Sequence, residues 1–330
     1  MSENEDTDAG ADGELTYSGA GVDIADSEAA TAALVSAVGQ SEGDYAGLLD
    51  IGDRYLALAT DGVGTKLLVA EALNDYSTIG IDCIAMNAND LVAAGVEPVA
   101  FVDYIAVDEP DEGVAEQVGE GLSAGAEEAG LALVGGETAV MPEVVRGLDL
   151  AGTCAGLAPK DAVFEGSAEP GDTLVGWRSS GIHSNGLTLA REAATREGGY
   201  DDPFPHDGYE TVGEALLEPT RLYTDLLEPM RSHGVRGAAH ITGGGWTNLK
   251  RLGDLRYEID DPYPAQPVFE FVRSAGVSDE EMHRTFNMGT GFVAAVPEEG
   301  AAEALAEGTD GRVIGRVEEG EAVAIRGLSL

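Results

Sequence analysis

Residues 55–66 read Tyr-Leu-Ala-Leu-Ala-Thr-Asp-Gly-Val-Gly-Thr-Lys. A short strand pattern, 55–59, runs directly into Asp61-Gly62-Val63-Gly64-Thr65-Lys66, and a helical pattern follows near 66–73. Strand, glycine-bearing turn and helix in that order let backbone N–H groups and a helix N-terminus approach an anion closely. Asp61 at the strand end has the chemistry of a Mg²⁺ ligand, and Lys66 that of a point charge for phosphate. An ordinary Asp-Gly turn is the alternative. Lys66 is one of only three lysines in the chain, with Lys160 and Lys250.

Working outward, the chain alternates helix and strand on both sides of this turn. Upstream, a helix is expected from near Ser27, with Ala29, Ala30, Ala33, Leu34, Ala37 and Val38 on its apolar face. Residues 44–52 read as loop and turn, and 1–14 as a disordered acidic tail. Downstream, a helix over 78–94 stops at Gly95 with Pro98 behind it. A β-rich stretch (98–107), a helix (113–129) and strands at 131–135 and 148–157 follow. Residues 159–171 are charged and carry glycine and proline, which places a domain boundary there. The expected units are 1–14, 15–160 and 161–330. In the second half strands are expected at 173–177, 235–241, 291–296, 312–317 and 322–326. Helices are expected at 184–196, at 211–233 with a break near Pro219, after Gly243-Gly244-Gly245, and at 299–307. Mixed α and β in both halves means two α/β or α+β domains.

Composition narrows the functional classes. The 330 residues are 43% hydrophobic, enough for a full core, and no run of ~18 apolar residues predicts a membrane span. The N-terminus has neither the basic nor the apolar region of a signal peptide, so a cytoplasmic location is expected. Cys83 and Cys154 match no metal or disulfide spacing. Sixty-one acidic residues against 18 basic ones give a net charge of −43. On a globule with a radius of gyration of about 20 Å such charge repels itself unless salt screens it. Excess Asp and Glu with almost no lysine resembles proteins from salt-accumulating archaea, a halophilic surface. No basic stripe exists to release counterions from a nucleic acid.

Several familiar patterns fail on context. Gly121-Leu122-Ser123-Ala124-Gly125 matches a nucleophile elbow but falls inside a helical stretch. No Walker loop, G-x-G-x-x-G or H-E-x-x-H occurs. Four others carry chemistry. The helix over 81–94 bears Asp82, Asn87, Asn89 and Asp90. Asp82 and Asp90 lie ~12 Å apart along its axis, so one ion cannot take both directly. Either two ions are held or one Asp is structural. Gly135-Gly136-Glu137-Thr138 closes a strand and offers a carboxylate at a cleft. Ser179-Ser180-Gly181-Ile182-His183-Ser184-Asn185-Gly186 offers His183 as acid, base or phosphate partner and Asn185 as donor and acceptor. His240-Ile241-Thr242-Gly243-Gly244-Gly245-Trp246-Thr247-Asn248 has the form of an anion nest. Together these point to phosphoryl chemistry without a P-loop.

These segments also occur in a familiar order. Tyr17-Ser18-Gly19-Ala20-Gly21-Val22-Asp23-Ile24, the 60–66 turn, Ile79-Gly80-Ile81-Asp82, Asn89-Asp90-Leu91, 134–141, 179–186, 239–246 and Arg284-Thr285-Phe286-Asn287-Met288-Gly289 resemble the phosphoribosylformylglycinamidine cyclo-ligase (AIR synthetase) family of purine biosynthesis. The likeness spans about 15–323. It implies a first domain whose sheet pairs in a homodimer and a second, mixed α/β domain, with the site between them. It implies ATP-dependent ring closure of formylglycinamidine ribonucleotide to aminoimidazole ribonucleotide, with Mg²⁺ as counter-charge. By resemblance Asp61, Asp82 and Asp90 handle the metal. Asp61, Gly62, Gly64, Thr65, Asp90, Glu137, Thr242, Gly243, Gly244 and Gly245 face nucleotide or phosphate, and His183, Lys66 and Asn185 serve catalysis. Three places depart from the family pattern: 44–49 has fewer glycines, Val96 replaces an alanine, and Val140 replaces an acid. The rival readings are another ATP-dependent kinase or synthetase of the superfamily and a non-catalytic acidic binding protein.

Overall fold

The computed structural model describes residues 15–21, 24–38 and 45–330. The acidic tail 1–14 and Asp44 lie outside them. The first part of the chain forms α1 (Ile24–Val38), β1 (Gly47–Asp50), β2 (Arg54–Gly62), α2 (Leu67–Leu73), α3 (Ile79–Ala93), β3 (Glu97–Val107), α4 (Glu112–Ala129), β4 (Ala132–Val140) and β5 (Leu148–Pro159). Its sheet has the order β1-β2-β5-β3-β4, antiparallel except for the β3–β4 pair that α4 joins. The second part supplies β6 (Thr173–Arg178), α5 (Leu187–Thr195), α6 (Val212–Leu217), α7 (Leu227–Ser232), β7 (Gly237–His240), β8 (Arg256–Ile259), α8 (Pro267–Ser274), α9 (Asp279–Thr285), β9 (Thr290–Val296), α10 (Glu299–Gly308), β10 (Arg312–Glu318), β11 (Ala322–Ile325) and β12 (Leu328–Ser329). Its sheet runs β12-β11-β8-β10-β6-β9-β7. The mixed α and β composition is as expected.

Four local expectations need correction. Residues 47–50 are an edge strand against β2, not loop, because their carbonyls and amides find the ladder of 55–58. Asp61 and Gly62 belong to β2 itself, and a 3-10 turn, Gly64–Lys66, makes the bend. Residues 135–138 lie within β4 rather than at its end. The segment after the glycine triplet is a 3-10 helix, Gly245–Leu252. β8, α8 and α9 had no sequence expectation, and each is only 4 to 8 residues long.

Helix α3 positions the site. It is buried on nearly every face, packed against β2, β5, β3 and α4 on one side and against β7 of the second sheet on the other. Its neighbour α4 can cross so closely because glycines meet there. A Cβ on Gly80 would stand 2.1 Å from Leu122 N, and one on Gly121 would stand 2.8 Å from Ser77 O. The G-x-S-x-G pattern is thus a helix-crossing surface, with Ser123 exposed on the far side. Polar groups on so buried a helix must find partners. Asp82, Asn87, Asn89 and Asp90 find them at the seam between the two sheets.

Candidate functional site

The seam gathers Asp61, Asn87, Asn89, Asp90 and His240. Asn87 Nδ2 donates to the backbone carbonyls of Asp61 (3.2 Å) and Cys83 (2.8 Å), which ties the end of β2 to α3. One turn on, Asp90 Oδ1 lies 3.1 Å from His240 Nδ1. Asn89 Nδ2 stands 3.4 Å from His240 Nε2 and donates to Arg221 O at 2.9 Å, while its Oδ1 accepts Tyr223 N. This network assigns the proton of the His240 ring to Nδ1, donating to Asp90. Tyr45 donates to His240 O at 3.3 Å, and the Arg251 guanidinium lies 4.7 Å from the Tyr45 ring centre. Sequence reading quoted His240 within a motif but did not place it, Tyr45 or Arg251 at the site. The scarcity of cations was the one available signal for Arg251.

Asp61 is open to water on one side and crowded by protein on the others. That crowding, and secondarily the charge of Asp90, pushes its carboxyl up to about 6, against the pull of Gly62 N–H, His240 and Arg251. Two carboxylates that repel each other at the mouth of a cleft form a hard-oxygen donor pair. Such a pair suits Mg²⁺, which ordinarily takes one or two carboxylates and completes its shell with water and phosphate. Among the described residues no three His, Cys, Asp or Glu side chains form a metal cage.

Lys66 and Asp82, expected at a phosphate and a metal, are instead partners of each other. Lys66 Nζ lies 2.7 Å from Asp82 Oδ2 with both side chains fully buried. Lys66 also donates to Glu218 O at 2.6 Å, and Asp82 Oδ1 accepts Thr220 N (2.8 Å) and Thr220 Oγ1 (2.6 Å). These contacts use the groups up, so Asp82 is the structural member of the helical Asp pair. Burial holds the Lys66 amine below its usual pKa, and Asp82 opposes that shift.

Glu137 is not brought to the others within one chain. Register places it in the row Gly62–Ala151–Tyr104–Glu137, three strand spacings from Gly62, or ~14 Å. It shares the exposed face with Tyr104, away from α3.

On the second-domain side, His183 is 1% exposed with φ 68°, a left-handed backbone that non-glycine residues seldom adopt. Ser180 N donates to its Nε2 at 3.3 Å, so Nδ1 carries the proton, and that atom has no partner. Burial, then His240, Lys66 and Arg221, hold its pKa well below the ordinary value, so the ring is neutral. Its ring centre lies 6.4 Å from those of Tyr223 and His240. Asn185 faces the glycine triplet: a Cβ on Gly243 would stand 3.1 Å from Asn185 Oδ1. Thr247 and Asn248 pin the loop carbonyls of Gly243, Gly244 and Gly245. The amides of Gly243 and Gly244 meet no protein acceptor among the described residues. That is an anion cradle. Thr65 Oγ1 lies 3.0 Å from Thr188 Oγ1, just past the 179–186 segment, and Gly64 (φ 70°) provides the turn before Thr65.

Residues 43–158 match the family of AIR synthase related proteins, N-terminal domain, and residues 169–327 its C-terminal domain. A phosphoribosylformylglycinamidine cyclo-ligase of Methanosarcina acetivorans is 47% identical over 318 residues, covering 92% of this chain and 95% of that protein. One from Thermococcus kodakarensis is 50% identical over 307 residues, covering 88% and 91%. Among solved structures, tt0281 from Thermus thermophilus superposes with a TM-score of 0.63 at 26% identity, covering 92% of this chain and 97% of that one. With both domain matches in register and relatives near half identity over almost the whole length, the chain belongs to the phosphoribosylformylglycinamidine cyclo-ligase family.

Proposed function

We infer that this chain closes the imidazole ring of formylglycinamidine ribonucleotide with ATP, giving aminoimidazole ribonucleotide, ADP and phosphate. The observation that carries the reading is the seam between the two sheets, where the Asp61–Asp90 carboxylates of the first domain adjoin His240, a buried His183 with an unpartnered Nδ1–H, and the glycine triplet of the second. An amide oxygen is a poor leaving group. Transfer of the γ-phosphoryl group to that oxygen releases ADP and makes the attached carbon electrophilic. The amidine nitrogen then attacks it, loses a proton, and phosphate departs with the oxygen. The protein's task is alignment and charge neutralisation.

Asp61 and the free oxygen of Asp90 would hold Mg²⁺, which supplies counter-charge to the triphosphate. Thr242, Gly243 and Gly244 would bind a phosphate through backbone N–H groups, with Gly245 closing the turn through its own N–H to Thr242 O (2.9 Å) and Gly62, Gly64 and Thr65 lining the nucleotide side. His183 donates its Nδ1 proton toward the reacting amide or the transferred phosphoryl oxygen, and Asn185 orients the same group. Lys66 and Asp82 act by holding α3 against the second domain. Phosphate release on adding formylglycinamidine ribonucleotide to enzyme and ATP in multimolar salt tests the reading. Release without that substrate, or none with it, overturns the reading. Asp61 supplies a second check. Its carboxyl is expected to titrate near pH 6 by NMR, and Asp90→Asn to move it back toward the ordinary range. Because a protonated Asp61 cannot hold a cation, activity should fall as pH drops through about 6.

The homodimer finds support in the outer face of the first sheet. Leu49, Leu58, Val102 and Tyr104 expose 40–59% of their surface there. On a chain this charged, a contiguous apolar face marks an interface. Sedimentation in multimolar KCl should give twice the 34.0 kDa chain mass, and Val102→Glu should return the monomer. Wild-type protein sedimenting as a monomer removes the dimer. The acidic surface supports a halophilic protein, and no helix among the described residues is long and apolar enough to cross a membrane.

A further inference from the structure

A cavity of about 190 Å³ opens under α2 and α4, on the helix side of the first sheet, and shares no residue with the cleft. Its inner wall is apolar: Ile105, Val107, Val114, Val118 and Leu148. Its rim is acidic, carrying Glu71, Asp108, Glu109 and Asp111, and no lysine or arginine lines it. Arg146, beside it in sequence, is exposed and makes no ion pair among the described residues.

Two features separate this cavity from an ordinary patch on an acidic surface. Tyr76 lines it, is only 7% exposed, and has its backbone amide fixed by Gln117 Oε1 at 2.9 Å. Its hydroxyl has no hydrogen-bond partner among the described residues. Burial, then Glu71, Asp111 and Asp108, raise the pKa of that hydroxyl. The carboxylates also differ in what they already do. Asp108 accepts Gly147 N (2.9 Å) and Glu109 N (2.7 Å), and Asp111 caps α4 through Val114 N (2.9 Å). The exposed Glu71 carboxylate makes no hydrogen bond or ion pair among the described residues, although it is near enough that a Cβ on Gly147 would stand 3.1 Å from its Oε1. An apolar pocket with an unpaired carboxylate and an unpartnered phenol at its mouth offers acceptors and negative potential to an amphipathic cation.

We propose that this cavity binds a small organic cation, an ammonium group on an apolar body about the size of a benzene ring. The body occupies the Ile105–Val118–Leu148 wall. The ammonium donates to Glu71 and to the Tyr76 hydroxyl oxygen, with Asp108 and Asp111 adding field. A metal ion would leave the apolar wall unused, and a neutral ligand would leave Glu71 unpaired.

Saturation-transfer NMR of the full chain with phenethylammonium, in the KCl concentration that keeps it folded, tests this. Saturable binding is expected, with 2-phenylethanol and phenylacetate at least tenfold weaker. Glu71→Gln with Asp111→Asn should weaken the cation at least tenfold, and asparagine still caps α4. Ala115→Leu, a larger side chain on the wall at an exposed helix position, should exclude the ligand without altering charge. Glu303→Gln with Glu307→Gln on α10 removes the same charge elsewhere and should leave affinity unchanged. No saturable binding, equal binding of the alcohol, or the same loss from the α10 pair overturns the proposal. None of these readouts depends on ring closure, so failure here and failure of the cleft assignment are distinguishable.

Discussion

Asp82→Ala is expected to destabilise the protein by about 3–5 kcal/mol, because it strands a fully buried ammonium. Lys66 and Asp82 are both inaccessible to water and 2.7 Å apart. Their remaining hydrogen bonds go to Glu218 O and Thr220, across the seam from the first domain to the second. Taking away one partner leaves the other charge unsolvated and also frees the 218–220 segment. Replacing both with apolar residues of similar volume, Lys66→Met with Asp82→Leu, avoids the stranded charge. Such replacement of a buried pair is often neutral. The double variant should therefore recover most of the loss in urea unfolding at fixed high salt. A metal-binding Asp82 makes the opposite pattern: near-wild-type stability in Asp82→Ala, with Mg²⁺-dependent nucleotide binding lost. That result would return Asp82 to the metal set.

His183→Asn is expected to lower the turnover of ring closure by about 10²–10³-fold, the usual cost of removing one preorganised donor. The argument rests on what the residue costs the fold. A left-handed φ of 68° at a non-glycine position is strained, and asparagine tolerates it best. The Nδ1–H is buried without an acceptor, worth about 1–3 kcal/mol of lost solvation. Neither feature helps stability, so stability should hold while activity falls. His183→Asn protein that is as active as wild type removes the histidine from the reaction. The pH profile adds a readout that a merely structural role would not move. The depressed pKa of His183 keeps it neutral across the working range. Any acidic limb near pH 6 should therefore survive in His183→Asn, since it is assigned to Asp61.

The local elements were legible because their causes are local. Gly95 at φ 76° ends α3 where a residue without Cβ is needed, and Gly244 at φ 88° opens the cradle for the same reason. The 3.6-residue period drew α3 and α4. Short pieces such as β8, α8 and α9 carry too few periods to register. Val140, where the family has an acid, sits 53% exposed on β4 and takes no part in the cleft.

From its residues alone this chain declares its longer helices and strands, its family, its excess of acidic side chains and its glycine bends, because each depends on neighbours a few positions away. Which acid meets which base depends on the long-range packing around α3. Asp82 and Asp90 stand on one helix, yet packing turns the first inward to Lys66 and Thr220 and the second toward His240 at the cleft. Spacing along a helix says how far apart two carboxylates are. Only the surfaces packed against that helix decide which of them is consumed by the fold and which is left for a ligand.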